Sequence, residues 1–421
     1  MTFLKSIFRF ARKEAVFCIA LCCAFASAFF VPPSPAYIAY IDIHTLCILF
    51  ALMGVVAGLR SCGVFDRLGS ILCRRLHTVR GLCAVLVALC FIAGMVITND
   101  VALLTFVPFA LALLIPVASG KTVMYAVILQ TVAANTGSML TPLGNPQNLF
   151  LFQQTGLHIF HFMALMLPYT LLCAVLLALS LLRIGRTVIF TAPGKAISTL
   201  PAQAPAPQLE SDKPEKTDIP RQKHGLVPLR ISLRTRGIIY GALFVLCLLA
   251  VVRLIPKPAA ALVVFIVLLA IDRKVLRSLD YMLLLTFCAF FVFTGNMANI
   301  PSVKEALESA VGGHEFPAAV LASQVISNVP ATLLLYPFSC HAEELLMGVN
   351  AGGLGTLVAS LASLISYKLY AGALPRHGGA SRKDGLPSAG RYLLLFTVVN
   401  LVFLAALTGL YLLLHVISVY G

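Results

Sequence analysis

Long apolar runs broken at a few polar points make up most of the chain. A bilayer-spanning helix needs roughly 20 apolar residues. Runs near that length fall at 14–31, 36–59, 123–155, 160–182, 237–255, 258–271, 281–298, 345–367 and 391–415, and predict nine spanning segments. Segments 123–155 and 345–367 are interrupted by Gly, Asn and Thr, joined in the first by Pro. Two further apolar stretches, 82–117 and 316–340, fold around polar breaks at Thr98-Asn99-Asp100 and Ser327-Asn328. Each half of these stretches is about 10–18 residues, short for a crossing, which predicts re-entrant hairpins. Non-helical backbone at membrane depth survives only where protein or a water-filled cavity satisfies it, so both breaks should face a site.

The polar breaks recur in order. Residues 98–109 align without gaps to 327–338, with identities at Asn99/Asn328, Ala102/Ala331, Leu104/Leu333, Pro108/Pro337 and Phe109/Phe338. Further along, Asn135, Gly137 and Thr141 match Asn350, Gly352 and Thr356; upstream, Asp42, Leu46 and Ala51 match Asp280, Leu284 and Ala289. Each half reads helix, helix, hairpin, interrupted helix, helix, and one extra helix at 237–255 inverts the second half. The expected fold is an all-α polytopic membrane protein of inverted repeats, with two hairpins and two interrupted helices. Residues 1–183 form the first repeat, 184–236 a cytoplasmic linker, 237–255 a connecting helix and 256–421 the second repeat. Broken helices meeting near the midplane of inverted repeats are the architecture of secondary transporters, and alternating access follows from it.

Composition narrows the class. With 60% hydrophobic and 11% charged residues and a mean hydropathy of +0.95, the chain lies outside the soluble range. That excludes a cytoplasmic enzyme, a disordered scaffold and a secreted disulfide domain. The formal charge of +15 would suggest nucleic acid in a soluble protein. Here the 31 basic residues are sorted by side: with the N-terminus inside, only Arg253, Lys257 and Lys304 fall outside. The excess is therefore a topology signal, giving a multi-pass protein of the cytoplasmic membrane, N-terminus in and C-terminus out, with the lipid bilayer and not nucleic acid as partner. Ala26-Ser27-Ala28 passes for a signal-peptide cleavage site, but the repeat needs residues 14–31 as a retained helix. The stretch 186–230, rich in Pro, Ala, Lys and Glu, reads as a flexible connector. The twelve cysteines lie mostly in apolar runs without zinc spacing. No HExxH, GxxxxGK[ST] or GxSxG motif is present, so neither an enzyme nor a cofactor beyond a coupling Na⁺ or H⁺ is expected.

Two clusters carry the candidate chemistry. The first is Thr98-Asn99-Asp100 with the break Thr141-Pro142-Leu143-Gly144-Asn145-Pro146-Gln147-Asn148, and upstream Asn135 and Gly137. Proline removes a donor and frees carbonyls in the preceding turn. Those carbonyls with Asn and Thr oxygens suit Na⁺, placed at Thr98, Asn99, Gly144 and Asn145, while helix N-termini after the breaks suit an anion. The second cluster is Ser327-Asn328 with Asn350, Gly352, Gly353 and Thr356. A plainer reading of both is a proline kink and small-residue helix packing. Asp100 is the one acid placed near the midplane, opposite Val329 in the repeat, and marks a proton or cation site; a simple helix-capping role competes with coupling. His341, Glu343 and Glu344 read as a solvated turn, and Asp42 and Asp280 as caps or gate residues.

The Thr98-Asn99-Asp100 hairpin, the run from Ala134 to Asn148 and Ser327-Asn328-Val329-Pro330 together resemble the ion transporter superfamily, in its citrate-transporter-like and arsenite/sodium–proton antiporter branches. The resemblance spans nearly all of the chain outside 186–230. It implies a homodimer in which a scaffold holds a moving transport region. It implicates Thr98, Asn99, Gly144, Asn145, Pro146, Asn148, Ser327, Asn328 and Thr356 in ion and substrate binding. Asp100 stands where the dicarboxylate pattern has Thr, Val329-Pro330 follows the second tip, and Ala359-Ser-Leu-Ala-Ser363 replaces Thr-Pro-Pro-Asn. The expected function is secondary active transport of a small anion coupled to Na⁺ or H⁺. A Na⁺/H⁺ antiporter on the same fold is the alternative, and a channel would be told apart by its turnover.

Overall fold

The computed structural model describes residues 14–73, 76–188, 232–374 and 385–420. Most of the 184–236 linker expected from the sequence lies outside the described residues. Among the described residues the structure is helical, with no strand and one isolated bridge between Thr78 and Val188. Seven helices among the described residues are long and apolar enough to cross a membrane.

The chain opens with α1 (Ala15–Ser27), the short α2 (Ala36–Tyr40) and α3 (Ile43–Ser61). The run 36–59, expected as one segment, is therefore split. Ile41 is extended, and the Asp42 carboxylate caps α3 by accepting from the Thr45 amide, satisfying a donor that a helix start leaves open. Then follow α4 (Val64–Cys73), α5 (Val79–Ile97) and α6 (Asn99–Leu114), the last two meeting at Thr98. At 19 residues α5 is long enough to span, longer than the halves expected from the sequence. The interrupted segment comprises α7 (Gly120–Gly137), a 3₁₀ turn at Ser138–Leu140 and α8 (Pro146–Thr155). Asn145 caps α8 and Pro146 takes its first position, where a missing N–H costs nothing; Gly156, at φ +72°, ends it in the left-handed region. The long α9 (Ile159–Leu182) completes the first half.

The second half follows α10 (Leu233–Val251) with α11 (Lys257–Ile271), the short α12 (Arg273–Arg277) and α13 (Tyr281–Ala298), which is capped by Asp280 as α3 is by Asp42. An amphipathic α14 (Pro301–Val311), absent from the sequence reading, leads to α15 (Glu315–Ile326) and α16 (Asn328–Leu335), which meet at Ser327. Then come α17 (Ala342–Gly352), a break, α18 (Leu361–Gly372) and α19 (Ala389–Tyr420). The interrupted segment thus extends beyond 345–367 at both ends.

Two groups of helices emerge from the packing. α3 lies against α10 and α11, and α1 against α13, forming one group. The other gathers α5 to α9 with α15 to α19, in which α5 packs on α7, α15 on α17, and α18 on α6 and α7. Contact between the groups is sparser, through α3 on α8 and α13 on α16. Side chains such as Leu86, Val107, Ile128, Val132 and Leu346 fill the interior of the second group, while α9, α10 and α19 expose rows of Leu, Val and Ile, as lipid-facing helices do.

Candidate functional site

The two helix junctions share an uncommon backbone. Thr98 has φ +83° and Ser327 φ +73°; with Arg253 they are the only non-glycine residues at positive φ among those described. Each such residue costs about 1–3 kcal/mol and persists only where its surroundings hold it. What holds it is the same at both junctions. The Asn99 amide donates to Gly144 O at 3.0 Å, and the Asn328 amide to Ala359 O at 3.0 Å. The offset relating Asn135 to Asn350 in the sequence also relates Gly144 to Ala359, so these are one bond made twice. A second matched pair ties each break to the helix before its junction: Thr141 Oγ1 donates to Met95 O at 2.5 Å, and Thr356 Oγ1 to Gln324 O at 3.1 Å.

The remaining matched bonds cross between the halves. Asn135 Nδ2 donates to Ser363 Oγ (3.2 Å), as Asn350 Nδ2 donates to Asn148 Oδ1 (2.7 Å). Ser360 Oγ donates to Asn135 Oδ1 (3.1 Å), as Asn145 Nδ2 donates to Asn350 Oδ1 (3.3 Å). Each half's mid-helix asparagine therefore clasps the start of the helix that follows the break in the other half. Asn99 Nδ2 joins the network at Asn135 Oδ1, and Asn145 Nδ2 also reaches Ser138 Oγ. Asn148 donates to the carbonyls of Ser138, Met139 and Thr141, tying off the first break. Nearby, Thr131 Oγ1 donates to Ser366 Oγ at 2.6 Å. All these Asn and Ser side chains are buried, where an unpaired amide would be costly and a paired one specifies a single arrangement.

The glycines allow the close approach. A Cβ on Gly144 would strike the Ser138 backbone, and one on Gly137 the Phe91 carbonyl. Gly352 and Gly353 repeat the pattern against Ser323 and the Asn328 amide. The helices α6, α8, α16 and α18 all begin at this network, at Asn99, Pro146, Asn328 and Leu361, so four partly positive helix ends converge on it.

Of the expected site residues, Asn99, Asn135, Asn145, Asn148 and Asn350 join through side chains. Thr98, Gly144, Ser327 and Asn328 shape the junctions, and Gly137, Thr141, Pro146, Gly352, Gly353 and Thr356 shape the breaks. Asp100 stands apart: it is half-buried, its amide is bound by Asn99 Oδ1, and its carboxylate has no hydrogen-bond partner among the described residues. The like charge of Asp280 lies within electrostatic reach of it. The sequence reading missed Ser360 and Ser363 as partners, although the constant offset maps Asn145 and Asn148 onto them. His341 precedes α17 and Glu343 and Glu344 lie in its first turn; the His341 and Glu343 side chains are exposed, as a solvated turn requires, and all three line an open cavity.

A buried polar centre built from both halves of an all-helical chain with seven membrane-length helices defines a polytopic membrane protein with an internal polar site. The profile of the family described as CitMHS, citrate transporter, matches residues 6–365, and the chain belongs to that family; it is a membrane transporter. Among its relatives, the inner membrane protein YbiR of Escherichia coli is 32% identical over 81% of this chain and 84% of its own length. An uncharacterized transporter of Methanocaldococcus jannaschii, MJ0456, is 27% identical over 88% and 89%. The silicon efflux transporter LSI3 of rice is 33% identical over 31% of this chain and 26% of its own.

Proposed function

We propose that the protein is a secondary active transporter that carries a small anion, a carboxylate or an inorganic oxyanion, by alternating access and in exchange of free energy with Na⁺ or H⁺. The observation that carries this reading is the convergence of four helix N-termini on a buried network of amides and hydroxyls shared by the two halves. Fixed N–H groups and helix dipoles are an anion-binding environment that needs no lysine or arginine. The matched hydrogen bonds, at one offset within the hairpins and another within the interrupted helices, support an inverted repeat, with 82–117 and 316–340 as re-entrant hairpins. The two packing groups support a scaffold (α1 to α3 and α10 to α13) and a transport region. Thr98, Asn99, Gly144 and Asn145 supply the oxygens of the proposed Na⁺ site, and Asp100, the unpaired carboxylate beside it, is the coupling group.

The proposed setting is the cytoplasmic membrane, supported by the E. coli relative, an inner membrane protein. The N-terminus lies inside and the C-terminus outside, supported by the distribution of basic residues. A homodimer is proposed on the family resemblance. A second reading, Na⁺/H⁺ antiport with the cation as cargo, is favoured by one observation: Asp100 is the only acid in either junction, and among the described residues no group hydrogen-bonds its carboxylate. Proteoliposomes separate the two. Anion uptake driven by an imposed Na⁺ or pH gradient supports the first, whereas Na⁺-driven proton movement with no transportable anion present selects the second. Failure of both gradients to drive any flux overturns coupled transport.

A further inference from the structure

Contact between the two groups of helices is sparse, and one of the bonds that crosses it falls on an oxygen left without its helical donor. Pro108 lies inside α6, where it has no N–H to give to Leu104 O four residues back and its ring crowds that oxygen. Arg60, in the last turn of α3, supplies a donor instead: its Nη2 donates to Leu104 O at 3.0 Å. α3 packs on α10 and α11, whereas α6 packs on α5, α7 and α18, so the bond runs from one group to the other.

Its place on α6 ties it to the coupling group. Leu104 lies one turn beyond Asp100, and residues four apart share a face of a helix. The other hairpin lacks the donor. Pro337 matches Pro108 and Leu333 matches Leu104, but at the offset relating Asp42 to Asp280 the position of Arg60 falls to Ala298, whose methyl cannot donate. The Arg60 side chain is half-buried, and a guanidinium on a carbonyl makes a charge-assisted bond, roughly twice as strong as a neutral one.

We propose that Arg60 is a positioning residue for transport: by gripping Leu104 O it fastens the Asp100 hairpin to the α3 group in the present arrangement, and it must let go before the second group can shift. The role rests on the alternating access of the proposed function. A bond between groups that move past each other exists in one arrangement only, so it biases the population and lengthens the stay in that arrangement. Pro108 is the other half of the device. With alanine there, the residue 108 amide can donate to Leu104 O, and the arginine becomes redundant.

The test is single-molecule fluorescence energy transfer on the full chain in liposomes, with dyes on unnatural amino acids at Lys274 and Lys368, exposed positions of the two groups. Asp42 Oδ2 and Gln154 Nε2 meet at 2.6 Å across the same groups. Bridging Asp42→Cys to Gln154→Cys with a short dimaleimide therefore identifies the present arrangement. Arg60→Met keeps the apolar stem and should shorten the dwell in that arrangement about tenfold, the size of one charged hydrogen bond. Arg60→Lys, which retains a donor, should restore part of the dwell. In a Pro108→Ala background, Arg60→Met should change the dwell less than twofold. A purely structural Arg60 would lower Tm and leave the dwell unaltered. An unaltered dwell in Arg60→Met, or the same tenfold change in the Pro108→Ala background, overturns the role of Arg60 while two interconverting states leave alternating access standing. A single state of the unsubstituted protein under imposed Na⁺ and pH gradients overturns both.

Discussion

Asn350→Ala removes one side chain from the point where the halves interlock, and the structure sets the size of the effect. Among the described residues Asn350 Nδ2 is the sole partner of Asn148 Oδ1, and Asn148 is fully buried. Truncation orphans that oxygen, at about 1–3 kcal/mol. Asn145 Nδ2 loses its bond to Asn350 Oδ1 but keeps Ser138 Oγ at 3.2 Å, a loss of about 0.5–1 kcal/mol. The expected destabilisation is about 1.5–4 kcal/mol, above the ~0.6 kcal/mol typical of a single interhelical hydrogen bond in a membrane protein. Unfolding in detergent, followed by circular dichroism, should show a Tm lower by several degrees.

A double-mutant cycle isolates the contact. Asn148→Ala breaks other bonds as well, but once it is made the orphaned oxygen no longer exists, so adding Asn350→Ala should cost at least 1 kcal/mol less, within about 0.5 kcal/mol of measurement. The mirror pair, Asn135→Ala with Ser363→Ala, should behave alike, because Asn135 Nδ2 donates to Ser363 Oγ in the equivalent position. Additivity in the first cycle would refute the clasp, and coupling in one cycle without the other would refute the equivalence of the halves.

Three other changes test separate parts of the account. Asp100→Asn should leave folding and surface expression intact but lower flux per molecule at least tenfold, about 1.4 kcal/mol, and abolish its dependence on the driving cation gradient; normal coupled flux removes Asp100 from the mechanism. Gly144→Ala must displace the Ser138 backbone and should lower Tm, whereas Gly241→Ala, whose added methyl meets nothing within 4 Å, should stabilise by about 0.5–1 kcal/mol through helix propensity; the same sign at both positions contradicts the close approach. Arg253→Ala removes bonds to Phe152 O and Gly156 O and a contact with the Phe152 ring, and should cost about 1–2 kcal/mol in the same unfolding assay.

Apolar runs and their polar punctuation were enough to locate the helices, because a membrane-length helix announces itself by composition over many residues. Boundaries inside a run were not legible: Asp42 reads as a cap or gate residue, yet that it splits the run expected at 36–59, starting α3 through its hydrogen bonds with the Thr45 amide and hydroxyl, does not show in the sequence. The amphipathic α14 escaped because its Lys304, Glu305 and Glu308 break the apolar signal that identifies the others. At the centre, residues with a distinctive chemistry (Asn99, Asn135, Asn145, Asn148, Asn350) stood out against apolar neighbours. Ser360 and Ser363 did not, since a serine in an apolar helix is ordinary until its partner is known.

The departure from symmetry is as informative as the symmetry. Every matched bond in the network joins neutral groups, so the two halves could exchange roles without altering the charge at the centre. Asp100 alone breaks that equivalence, because the matching position is Val329 and the next is Pro330, neither of which can bind a proton or a cation. A transporter with identical junctions would have two equivalent coupling points and no reason for an ion to enter with one arrangement rather than the other. With a single carboxylate on one junction that has no hydrogen-bond partner among the described residues, ion binding there, on the proposed function, would stabilise only arrangements in which that junction is neutralised, since a ligand shifts an equilibrium only through such differential affinity. On the proposed function, the uncharged network would frame the substrate in either arrangement, and directionality would rest on the one side chain that has no counterpart.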